Sequence, residues 1–203
     1  MDIKYIKQEG MAEMENERTK DSLFSVRSIA LIGMMAALMA VISQISIPMP
    51  TSVPVTLQVF GLAFIGMMLG WKRGFCAIVI YILVGIAGAP VFANFGAGPA
   101  RLVGPAGGYL MAWPVMVALC GIRFHMDNRK MRIFMTIVCG MVGLAAVEVF
   151  GGWWWSHVAQ SDFGAIMIYS AAAFIPKDAV LTLLGLFFGD RVRKVLKASG
   201  HEI

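Results

Sequence analysis

Arg101 and Lys177 are cations in stretches of sequence that otherwise carry almost no charge. Arg101 stands alone between the charge-free segments 74–100 and 102–122, and Lys177 opens the last apolar segment with Asp178 beside it. Ionised groups in such surroundings are costly and normally pair with a counter-charge or serve a ligand. A planar guanidinium can hold a carboxylate through two parallel hydrogen bonds. Asp178 can accept from ligand N–H groups, and Asn94 offers both a donor and an acceptor. Phe92, Phe95, Tyr109 and Trp113 supply apolar faces in the same stretch. This set suits a small ligand with one anionic end and an apolar body. Arg101 and Lys177 could instead be loop residues in external water, with Asp178 as a local ion-pair partner. Glu148 is open between lining the cavity and reaching the outer interface.

Other chemistries lack their residues. No Gly-rich loop ends in Gly-Lys-Ser or Gly-Lys-Thr, so no Walker-type ATP site is present. His125, His157 and His201 are scattered, and no His-Glu-x-x-His occurs. Cys76, Cys120 and Cys139 lie far apart inside apolar runs, against both a disulfide framework and a zinc site. The expectation is a binding protein with no catalytic residues, no cofactor and no metal. Gly104-Pro-Ala-Gly-Gly108 could form an anion-binding nest, a weak signal on its own.

The elements that must position these residues belong to a membrane protein. Of 203 residues, 59% are hydrophobic and 14% charged, against about a quarter charged in a soluble domain. The blocks 28–71, 74–100, 102–122 and 133–147 contain no Asp, Glu, Lys or Arg. A helix needs roughly 20 apolar residues to cross a bilayer. The expected fold is therefore an all-α integral membrane bundle of about six transmembrane helices, with an outward-facing ligand cavity. Spans are expected near 28–47, 55–71, 75–88, 109–124, 133–155 and 176–189, with a short apolar segment at 163–174. Residues 1–27 read as a cytoplasmic tail without a cleavable signal, 28–190 as the membrane domain, and 191–203 as a basic cytoplasmic tail. Segment 89–108 is too rich in Gly and Pro for regular helix, so it must pack on protein or line a cavity. Trp153-Trp154-Trp155 reads as an interfacial belt. Gly33 with Ala37, and Ala36 with Ala40, are small pairs at i, i+4 that permit close helix contact.

Charge fixes the threading. With six spans, fifteen of the 17 Lys and Arg residues fall on one side, which the positive-inside rule makes cytoplasmic. Both termini are expected on that cytoplasmic side, with the chain a multi-pass protein of the cell membrane. Arg101 and Lys177 are the exceptions, together on the outer side.

The order of three motifs resembles the biotin transporter BioY family. These are Pro48-Met-Pro-Thr-Ser-Val-Pro-Val-Thr-Leu-Gln58, then Gly88–Leu110 with its Pro-Val-Phe, Gly-rich run and Gly-Pro-x-Gly-Gly-Tyr-Leu, then Phe174-Ile-Pro-Lys-Asp-Ala-Val180. The resemblance covers essentially the whole chain after Arg27. It implies an S component of an energy-coupling factor (ECF) transporter, which binds biotin with high affinity from outside. A transmembrane coupling protein and ATPase subunits would energise uptake. The resemblance implies ligand-binding residues among Gln58, Phe92, Asn94, Arg101, Tyr109, Lys177 and Asp178. It also implies an Ala-x-x-x-Ala contact for the coupling protein at Ala36 and Ala40. The carboxylate of biotin would take Arg101 or Lys177, and its ureido group Asp178 and Asn94. The last motif departs from the family's Pro-Gly-Asp-x-x-Lys: Lys177 replaces the glycine and Leu181 the lysine. Positions 177 and 181 share a helix face, so the cation is either moved or tuned to a related carboxylate such as dethiobiotin. A solitary secondary transporter and an intramembrane enzyme are the competing classes. The first would show an inverted repeat and the second a nucleophile–base pair or metal cluster, and neither is visible.

Overall fold

The computed structural model describes residues 23, 25–49 and 53–199. The expected N-terminal tail lies almost wholly outside these residues. Among the described residues there are eight α-helices and one two-stranded hairpin. Helix α1, Val26–Ser43, starts at Ser25, whose side chain accepts from the Ser28 amide. It leads into strands β1 (Ser46–Ile47) and β2 (Val55–Thr56), paired antiparallel. Helix α2, Gln58–Leu69, runs back to Gly70, whose φ of 82° permits an immediate turn into α3, Trp71–Ile86.

The Gly/Pro-rich connection is mostly irregular, as its composition requires. It holds one 3-10 turn (Ala93–Phe95) and a four-residue helix α4 (Ala100–Val103) before α5, Gly107–Cys120. Helix α6, Arg129–Ala159, is capped by the Asn128 side chain accepting from the Lys130 and Met131 amides. Helix α7 (Phe163–Ala173) then meets α8 (Ile175–Ala198) at a 52° bend.

Six helices correspond to the six expected spans, and they are unequal in length. Helices α1 and α6 are long and apolar enough to cross alone, and α7 with α8 makes a third span if counted together. Helix α2 has 12 residues and α5 has 14, so they rise only about 18–21 Å, short of the roughly 30 Å hydrocarbon core. Their partners bury them instead. Helix α8 closes on α2 through Gly185, where a Cβ would stand 2.6 Å from the Phe60 carbonyl oxygen and 2.8 Å from Ala63 Cβ. Gly185→Val should therefore lower stability by about 2–3 kcal/mol, the cost of forcing two packed helices apart. Melting of the purified chain in detergent checks this. A melting temperature equal to wild type would mean the helices part freely there.

Three expectations change. The basic C-terminal segment continues α8 to Ala198, well past Gly189. The tryptophan triplet is not one belt: Trp155 is buried, and Trp154 Nε1 donates to the Gly104 carbonyl at 3.0 Å. Only Trp153 lies open, its ring tilted 48° against that of His157. Ala36 and Ala40 do not face outward. Ala36 belongs to the core and Ala40 packs against it, because Ile32, Met35 and Met39 turn the same side of α1 inward. The small residues left exposed on α1 are Ala30, Gly33 and Ala37, and a Cβ on Gly33 would meet nothing within 4 Å.

Candidate ligand-binding site

A cavity of about 70 Å³ opens at the end of the bundle that carries the hairpin. Five parts of the chain build it: β2 and the start of α2, the irregular segment with α4, the first half of α5, the middle of α6, and the α7–α8 bend. The opposite end gathers the basic residues of the 121–128 loop, the start of α6 and the end of α8. Arg101 and Lys177 thus line a space far from the other cations, as the charge pattern of the sequence anticipates.

Lys177 Nζ donates to the Thr56 carbonyl at 2.9 Å and to Asp178 Oδ1 at 2.5 Å. Two of its three N–H donors are thereby engaged, and it ties the start of α8 to the hairpin. Asp178 is 4% exposed and holds Lys177 with one oxygen. Arg101 is different. Its guanidinium lies over the backbone of Gly96, where a Cβ would come within 2.4 Å of Nε, and among the described residues no carboxylate pairs with it. A half-exposed guanidinium with open donors, lining a cavity, is a ready carboxylate receptor.

The floor is polar as well. Glu148 is 3% exposed and accepts from Ser170 Oγ at 2.6 Å. Ser170 Oγ also lies 3.3 Å from Tyr109 OH, which sits at the cavity wall. Tyr109 is seated by Gly151 of α6, where any Cβ would come within 2.4 Å of its ring. Gln58, at the first position of α2, donates from Nε2 to Ser43 Oγ at 3.0 Å and reaches Tyr81 OH at 3.5 Å. Tyr81 OH in turn donates to the Val91 carbonyl at 3.0 Å. The apolar walls are Phe92, Trp113 and Phe174, with Tyr81 edge-on behind Phe92.

The structure brings Gln58, Phe92, Arg101, Tyr109, Lys177 and Asp178 to one cavity. It leaves Asn94 out. Asn94 and Phe95 both adopt left-handed φ, near 55°, which swings their side chains to the exposed side of the turn. There Asn94 Oδ1 accepts from Ser46 Oγ at 2.8 Å, fastening the loop to the hairpin. Phe95 is 72% exposed and lines nothing. Leu181 packs against the core instead of the cavity, so Lys177 is the cation that the last motif contributes here.

Two residues carry more weight than the sequence suggests. Glu148 is the second buried acid of the cavity; its only signal is an acid inside an apolar span. Gln44 anchors the irregular segment, donating from Nε2 to the Val91 and Phe92 carbonyls and accepting from the Phe95 amide at 3.0 Å. A polar residue at a helix end reads as interfacial, and nothing local reveals its partners some 50 residues on.

Comparison with known proteins bears on the family and the fold. The chain matches the BioY family over residues 14–198. It is 32% identical to the biotin transporter BioY2 of Lactococcus lactis, over 80% of this chain and 87% of that one. It is 36% identical to the biotin transporter BioY of Thermotoga maritima, over 62% and 72% respectively. A 2.1 Å crystal structure of the S-component for biotin from an ECF-type ABC transporter superposes with a TM-score of 0.72 at 27% identity, covering 83% of this chain and 92% of that one. With its all-helical S-component fold and a cavity ringed by the motif residues, this membrane chain belongs to the BioY family.

Proposed function

We propose that the chain binds biotin reversibly as the S component of an ECF transporter, with Arg101 taking the ligand's carboxylate. The observation that carries this reading is the division of labour between the two cavity cations. Lys177 is held by Asp178 and the Thr56 carbonyl, whereas Arg101 lines the cavity and forms no ion pair with a carboxylate among the described residues. The valerate chain and thiolane ring suit Phe92, Trp113 and Tyr109. Asp178 and Glu148 are the acceptors available to the ureido N–H groups, and Gln58 is an amide within reach of the same space. No step here makes or breaks a covalent bond.

Biotin should raise the melting temperature of the purified chain without nucleotide, because a ligand that binds only the folded state stabilises it by RT ln(1 + [L]/Kd). Dethiobiotin tests whether the displaced lysine has tuned the site to a precursor. A larger shift with dethiobiotin than with biotin would reassign the ligand, and no shift with either would overturn the reading.

We further propose that the termini and the basic end face the cytoplasm, placing the cavity outside. Uptake then requires a coupling protein and ATPase subunits, and the exposed stripe of Ala30, Gly33 and Ala37 on α1 is the surface for close helix contact. Gly33→Leu should leave biotin binding within about twofold of wild type while cutting partner-dependent uptake into vesicles at least tenfold. Unchanged uptake would remove this face from the interface.

A further inference from the structure

At the end of the bundle away from the cavity, α6 and α8 frame a second, much larger space of about 820 Å³. The two helices touch at Gly140, where a Cβ would meet Leu186 Cδ1 at 2.8 Å and Thr182 Cγ2 at 3.3 Å. Beyond that contact they leave a groove, bounded by the start of α6, the end of α8 and the 122–128 loop. Its lining changes character along its length. Nearest the contact it is apolar, with Ile133, Ile137, Leu183 and Phe187. At the helix ends it is strongly basic: seven Lys and Arg residues face it against two Asp. One of those acids, Asp190, is already paired with Lys194.

We propose that this groove is a binding site for an anionic phospholipid, with its phosphate among Arg129, Arg132 and Arg193 and an acyl chain along the apolar wall. The excess of like charge is unfavourable unless an anion fills it, and basic pockets between helices at a membrane surface attract anionic headgroups. A free phosphate would answer the charge and leave the apolar wall bare. A lipid answers both, in the order in which they occur from helix end toward bilayer centre. The distance suits it: Arg129 to Ile137 is eight residues of helix, about 12 Å. Arg191 packs over the Phe187 ring at 5.1 Å, so cation and apolar wall are joined at the boundary between them. The site is independent of the biotin cavity and of which leaflet it faces.

Native mass spectrometry of the full chain, purified in mild detergent, should show phosphatidylglycerol retained at least tenfold over phosphatidylcholine at equal supply. The triple variant Arg129→Gln, Arg132→Gln, Arg193→Gln should lose that preference while melting within a few degrees of wild type. Glycerol phosphate added in excess should compete poorly, because it lacks the chain. Equal retention of the two lipids, or a preference that survives in the triple variant, would overturn the proposal. Full competition by glycerol phosphate would reduce the groove to a plain anion site and overturn it too. Should the triple variant unfold, Arg193→Gln alone gives the same reading, with at least a threefold loss expected. Lipid retention is read without biotin, so failure of the ligand assignment leaves this test intact.

Discussion

Arg101→Ala should weaken biotin binding by about 30-fold to 1,000-fold, equivalent to roughly 2–4 kcal/mol. The size follows from what the substitution removes. A charge-assisted contact inside a cavity, with the guanidinium only half exposed, is worth more than a surface ion pair. Losing it leaves the ligand carboxylate partly desolvated and unpaired. Lys177 is poorly placed to substitute, since its ammonium is held by Asp178 and the Thr56 carbonyl. Arg101→Lys should recover only part of the loss, because a single ammonium cannot reproduce the planar fork. The control is chemical. Biotinamide lacks the carboxylate, so it should bind wild type and Arg101→Ala with nearly equal affinity. If biotin itself binds both equally, Arg101 does not hold the carboxylate.

Asp178→Ala should weaken biotin binding by about tenfold to 100-fold. Two effects combine: an acceptor for ligand N–H groups disappears, and Lys177 loses its counter-charge inside the bundle. The second effect is structural and can be separated. Removing one partner of a shielded pair is costlier than replacing both by apolar groups of similar size. Lys177→Leu with Asp178→Leu should therefore melt closer to wild type than Asp178→Ala, yet bind biotin no better. Should the double variant recover binding together with stability, Asp178 supports the fold and does not touch the ligand.

The sequence makes the two exceptional cations legible because charge asymmetry is a global property, readable without contacts. Asp178 follows from its place beside Lys177, and the irregular course of 89–108 from its glycines and prolines. Other features depend on geometry that spacing cannot convey. Asn94 belongs to the motif that suggests a binding role, but a left-handed turn directs it outward. Ala36 and Gly33 both open small-residue pairs at the same spacing, and only the packing of α1 decides which pair is buried. Glu148 acquires its place from Ser170, on a helix that folds back against α6 after the chain turns at Gln160. Helices α2 and α5 overlap the expected spans 55–71 and 109–124, but hydropathy does not mark their ends inside long apolar runs.

Equilibrium dialysis of the purified full-length chain against labelled biotin, with no nucleotide present, addresses the central claim most directly. One saturable site per chain, emptied by excess unlabelled biotin, is the expected result. Retention no greater than in a protein-free blank, from protein that still melts cooperatively, would contradict it.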